Sequence, residues 1–173
     1  MQLADALAFA RSGKALAFLG SGFSLGALSR AGQTIPTTSE LARRIMTAAG
    51  ESEEAEFDLA ADLFAKTRAD DPTALSRFLT EQFSVQETSN AHKAFSQYPW
   101  QRIYTTNYDN IVEVTSRDSG VDRTPVSWQN PPSHYSRDSN WIVHLHGYVG
   151  DVNRAGEPKP SFLDDRVTST LRC

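Results

Sequence analysis

The strongest constraint on the fold is a pattern that occurs three times: a short apolar run halted by glycine or small polar residues. Ala15-Leu16-Ala17-Phe18-Leu19 runs into Gly20-Ser21-Gly22-Phe23-Ser24. Arg102-Ile103-Tyr104-Thr105-Thr106 runs into Asn107-Tyr108-Asp109-Asn110, and Trp141-Ile142-Val143-His144-Leu145-His146 runs into Gly147. Runs of five or six residues between turn formers have the length of strands, not helices. β-branched and aromatic side chains strengthen that reading for the second and third runs. The first is apolar at every position, which predicts a strand buried on both faces, as in a parallel sheet.

Helical patterns fill the intervals. Leu3 and Leu7 with the alanines around them predict a helix ending at Gly13, and a short helical stretch is expected from Ser24 to about Arg30. Ala31–Pro36 reads as a loop. Thr37-Thr38-Ser39-Glu40 matches a capping box, with Thr37 as cap and Glu40 reaching back, before a helix whose apolar face is Leu41, Ile45 and Met46. Phe57, Leu59, Leu63 and Phe64 mark another helix. Leu75, Phe78, Leu79 and Phe83 mark a third, separated from it by Asp71-Pro72. Ala91–Tyr98 is a short helix stopped by Pro99, and Ile111–Val114 opens one after the second strand. Val126-Ser127-Trp128 reads as a brief strand, and the stretches from Pro131 to Asn140 and from Asp151 to Pro160 as loops. The sum is a single α/β domain over residues 1–173, with a helical insertion, roughly residues 38–98, between the first and second strands.

Charge and cysteine content remove several function classes. With 17 Lys+Arg against 21 Asp+Glu the net charge is −4, and the bases are scattered, the densest pair being Arg43-Arg44. Direct nucleic-acid binding and a polybasic membrane contact both need a basic patch that is missing here. Cys173 is the only cysteine, so neither an internal disulfide nor a cysteine zinc module can form. The start lacks the basic segment of a signal peptide. No apolar run exceeds five residues, against the ~20 that span a bilayer. A soluble, cytoplasmic protein without membrane attachment is expected.

In open parallel sheets, ligands bind outside the carboxyl ends of the strands. There, Gly20-x-Gly22 suits a backbone that turns tightly and approaches a phosphate, or serves only as a turn. The sixth position of the dinucleotide fingerprint is Leu25, with Gly26 one place late, and no Gly-Lys-Ser/Thr of a P-loop follows. Glu40 stands where a ribose-binding acid would, but the helix cap explains it better. Asn107 and Asp109 suit turn forming and capping. Alternatively, Asn107 offers an amide donor and acceptor to a ribose or a water, and Asp109 accepts from a carboxamide N–H. His144 and His146 occupy alternate strand positions and so share a face. A metal pair would need a third ligand, for which His134 is the nearest candidate. His146, at the end of the strand, suits a general base, against the alternative of a packed ring donating to a backbone carbonyl. His92, on a helix, receives no role.

Taken in order, these motifs resemble the sirtuin family, and more closely the zinc-free sirtuin-like NAD-cleaving domains of bacterial antiphage defence proteins. The family pattern of Gly-x-Gly-x-Ser, Thr-x-Asn-x-Asp and Leu-His-Gly is met by Gly20–Ser24, Thr105–Asp109 and Leu145–Gly147. Pro99-Trp100, Ile103-Tyr104 and Trp141–His144 look like the same branch, and the resemblance spans roughly Ala15 to Gly150. It implies a Rossmann-like sheet, apparently incomplete here: no Gly-Thr-Ser motif of the later family strands follows Gly147, and Thr168-Ser169-Thr170 lacks the glycine.

The resemblance further implies that Gly20, Ser21, Gly22, Phe23 and Ser24, with Thr106, hold the phosphates and adjacent ribose of NAD⁺. It makes Asp109 the partner of the nicotinamide carboxamide, Asn107 the holder of ribose and water, and His146 the base. Family deacylases carry four zinc cysteines after the His-Gly motif, and this chain has only Cys173. The expectation is therefore an NAD⁺ glycohydrolase that needs no zinc, in antiphage defence, acting as a homo-oligomer or with a partner protein. A catalytically silent nucleotide-sensing module is the alternative, and protein deacylation a more distant one.

Overall fold

A computed structural model describes residues 2–127 and 140–152. In chain order the elements are α1 (Leu3–Arg11), β1 (Leu16–Leu19), a 3₁₀ turn (Ser21–Ser24), β2 (Leu28–Ser29), α2 (Thr38–Ala49), α3 (Phe57–Thr67) and α4 (Ala74–Phe83). They continue with β3 (Val85–Glu87), α5 (Asn90–Ser96), β4 (Arg102–Thr105), α6 (Ile111–Asp118), β5 (Thr124–Val126), β6 (Trp141–His144) and α7 (Val149–Val152).

The three strands expected from the run-and-stop pattern lie side by side. Among the described residues the sheet has four strands in the order β1-β4-β6-β5, every pair parallel. Register aligns Leu19 with Thr105 and Thr105 with His144, so the three strand ends stand in one row. This is a Rossmann-like α/β arrangement, and it gathers the three polar clusters at one edge of the molecule. Against one face of the sheet, Ile103 and Ile142 pack fully buried on Ile111 and Val112 of α6. A second core joins α2, α3 and α4 around Ile45, Leu79 and Phe64, and Tyr148 and Val149 attach α7 to it.

Four expectations need correction. β1 is not buried on both faces: it is an edge strand whose residues alternate, with Ala17 and Leu19 inside while Leu16 is 58% and Phe18 70% exposed. An apolar run does not reveal whether both faces of its sheet will be covered, because the covering layers come from elsewhere in the chain. The stretch after Ser24 is not helical, since Leu28–Ser29 pairs antiparallel with Val85–Glu87. The insertion is thus helical except for β3. The capping box of α2 is half made: the Glu40 N–H donates to the Thr37 hydroxyl at 3.3 Å, but the Glu40 carboxylate turns to Arg43 and Arg44. Two guanidinium groups outcompete one backbone N–H for a carboxylate, because charge-assisted bonds are the stronger. They also hold its pKa below the usual carboxylate range. Lastly, β6 ends at His144, so His146 lies in the bend beyond the strand and the alternation argument does not reach it. The brief strand read at 126–128 is observed as Thr124–Val126; Trp128, Pro131, Pro132, His134 and the segment from 153 to Cys173 lie outside the described residues.

Candidate functional site

Asn107 lies two residues beyond the end of β4 and is buried. Its carboxamide nitrogen lies 3.0 Å from the Gly20 carbonyl oxygen and 2.9 Å from Ser24 Oγ. A carbonyl can only accept, so the side-chain atom facing Gly20 must be the nitrogen, and the orientation of the amide follows. Ser24 Oγ, receiving one Asn107 N–H, donates its own proton to Asp109 Oδ2 at 2.6 Å. Asp109 Oδ1 accepts from the backbone N–H of Ile111 at 3.1 Å, which opens α6. The first two motifs are therefore joined by one directed chain of hydrogen bonds, Asn107 to Ser24 to Asp109. Burial is the main influence on the Asp109 carboxyl and pushes its pKa up, with the Ser24 and Ile111 bonds offsetting part of the rise.

The turn-forming reading of the Asn-Asp pair is observed. Asp109 forms the turn that starts α6, and Asn110 accepts from the Val85 N–H at 2.7 Å, tying β3 to the same corner. Asn107 spends both amide hydrogens inside the protein, so what it can offer a ligand is its oxygen alone, narrower than the donor-and-acceptor role read from sequence.

Above this corner is a cavity of about 460 Å³. Ser21, Gly22, Ser24, Thr106, Asn107, Asp109 and His146 contribute to its lining. The rest comes largely from the loop before α2 and from the insertion: Ile35, Pro36, Thr37, Thr38, Leu41, Phe57 and Phe83. Mixed apolar walls with a few convergent polar groups are the usual make-up of a small-molecule site. A larger cavity of about 850 Å³ shares Thr37, Thr38 and Phe57 with it but reaches none of the strand ends. Gly22 contributes to the cavity lining, and a Cβ added there would meet nothing within 4 Å. Among the described residues, no group of three or more His, Cys, Asp or Glu side chains could hold a metal ion. No helix there is long and apolar enough to cross a membrane.

No family model matches the chain, and no curated protein does. What the site can do must therefore be read from its own atoms.

Of the residues singled out from sequence, Gly20 takes part through its carbonyl, not by lining the cavity. Phe23 faces inward, its ring 5.1 Å from that of His92 and 4.8 Å from that of Phe95. His146 lines the cavity, whereas His144 is buried and does not. Sequence reasoning missed His92. It is the third residue of α5, takes the Ser89 N–H on Nδ1 at 3.0 Å, and so carries its proton on Nε2, which donates to the Phe23 carbonyl at 2.7 Å. That bond anchors the Gly20–Ser24 turn to the insertion. Tyr108 and Glu113 were also missed. Tyr108 lines the cavity between two singled-out residues, and burial pushes its hydroxyl pKa up to about 12, so it stays protonated. The signal for Tyr108 was its place inside the motif; none existed for the bonds of His92 to Phe23 and of Glu113 to His144, whose partners are far away in sequence.

Proposed function

We propose that the strand-end cavity binds NAD⁺ and that the protein hydrolyses its nicotinamide–ribose bond. The supporting observation is the Asn107–Ser24–Asp109 chain, which spends every Asn107 donor and leaves its oxygen available beside a cavity that His146 also lines. A fixed amide oxygen is suited to accept from a ribose hydroxyl or an attacking water. The nicotinamide nitrogen is cationic in NAD⁺. When the C1′–N bond breaks, its electron pair returns to that nitrogen and nicotinamide leaves neutral. The sugar passes through an oxocarbenium-like transition state, as in glycoside cleavage. Water adds to C1′, and its proton passes to His146 acting as base. Positioning and base assistance of ~10²–10⁴-fold are the expected contributions of such groups.

Ser21, Gly22 and Thr106 contribute to the same lining, where the phosphates and adjacent ribose would lie, and Asp109 would meet the carboxamide. The products would be nicotinamide and ADP-ribose, or its cyclic form, and depletion of NAD⁺ would serve antiphage defence. The test is incubation of the purified chain with NAD⁺ while free nicotinamide is measured. Release that Asn107→Ala abolishes supports the reading. Binding without release assigns a nucleotide-sensing module, and neither binding nor release removes NAD⁺ from consideration.

A further inference from the structure

Against the main chain of Asn107 lies a buried pair that does not line the cavity and that the hydrolytic scheme does not use. His144 ends β6 and is 2% exposed. Its Nδ1 is 3.1 Å from the backbone carbonyl oxygen of Asn107, and its Nε2 is 2.7 Å from Oε1 of Glu113 on α6. A carbonyl and a carboxylate both accept, so with Glu113 ionised each ring nitrogen must carry a proton. The other Glu113 oxygen, Oε2, is buried without a hydrogen-bond partner among the described residues. His144 is then the one side chain paired with this carboxylate there.

We propose that His144 is a positioning residue: held as an imidazolium by Glu113, it donates from Nδ1 to the Asn107 carbonyl and so fixes the backbone from which the Asn107 amide reaches the cavity. The groups facing the ring are Glu113 from α6, Asp109 from the preceding loop and Tyr148, whose ring centroid is 4.3 Å away. Burial alone would lower the pKa of the ring. The Glu113 carboxylate, with smaller help from the Asn107 carbonyl and Asp109, reverses this and raises it. Asn107 is consequently held from two sides, its side chain by Gly20 and Ser24 and its main chain by His144.

Two substitutions separate the two arms of the ring. His144→Asn keeps an N–H donor near the Nδ1 position, aimed at Asn107. His144→Gln keeps one near the Nε2 position, aimed at Glu113. If His144 positions Asn107, His144→Asn should release nicotinamide at least ~10-fold faster than His144→Gln. The latter should lose about 10²-fold in kcat, the size of effect expected from a small misplacement, with little change in KM. Equal losses in the two variants at matched melting temperature would overturn the proposal.

The rate comparison rests on the NAD⁺-cleaving reading, but the ring state does not. Imidazole nitrogen resonances of the unmodified chain should show both His144 nitrogens protonated at pH 6.5, the ordinary imidazole value that the folded ring exceeds; one bare nitrogen there overturns the proposal even if neither variant folds. If the unmodified chain releases no nicotinamide, that sinks the hydrolytic reading alone. The Asn107 side-chain amide signals then decide: sharp in His144→Asn and broadened in His144→Gln is the expected result, and identical behaviour in both is the refuting one.

Discussion

The Ser24 hydroxyl donates to the buried Asp109 carboxylate at 2.6 Å, linking the turn after the first strand to the turn after β4. Ser24 also receives an Asn107 N–H, so it is the hinge of the site. Ser24→Ala should strand one buried donor and deprive one buried acceptor. The expected cost is about 1–3 kcal/mol of stability, with at least a ~10-fold loss of nicotinamide release. Denaturant titration and an NAD⁺ assay check the two effects separately, and an unchanged denaturation midpoint would show that the bond is not formed.

Asn107→Ala should abolish nicotinamide release. It also removes the donors to Gly20 and Ser24, so a fall of about 1–3 kcal/mol in stability should accompany it. A variant that turns over NAD⁺ at the normal rate would leave Asn107 with only a structural part.

His146 makes none of the hydrogen bonds that join the turns, and it is not buried. His146→Ala should therefore leave the melting temperature within a degree or so while lowering the rate by at least ~10²-fold. NAD⁺ affinity, measured calorimetrically, should change little. A rate loss matched by an equal loss of affinity would reassign His146 to binding.

Gly22 has open space where a Cβ would stand, and its φ is not positive. Gly22→Ala should thus preserve stability. It should weaken NAD⁺ binding at least ~10-fold, because a methyl group would keep the ligand from the backbone. Unchanged affinity would place the phosphates elsewhere.

Stability should fall on the alkaline side. The folded pKa of His144 is raised above its ordinary 6.5, so its contribution is full below that pH and is lost as pH rises through the folded value. Asp109, raised by burial from 3.8, acts in the same direction: its contribution is full below 3.8 and disappears as its buried carboxyl ionises. The melting temperature of the unmodified chain should decline as pH rises above 6.5, and His144→Asn should flatten the decline. A slope shared by both proteins would assign it to other groups.

The positions of β1, β4 and β6 were legible in the sequence because the signal is local: a short apolar run, a turn former, and nothing that needs a distant partner. For the same reason the cap Thr37 could be read: it lies within three residues of the N–H group that it accepts. The motif residues Ser24, Asn107, Asp109 and His146 could be chosen by their place after those strands. Only the tertiary structure decided what each does. It left Leu16 and Phe18 of β1 exposed, because no described element covers that face of the strand. It turned Glu40 from a cap to two arginines, and paired Leu28–Ser29 with Val85–Glu87 across the insertion. It spent both Asn107 donors on Gly20 and Ser24, and brought Glu113 against His144. Those outcomes depend on which buried donors and acceptors meet once the chain has packed, and a buried polar group takes whatever partner the packing supplies.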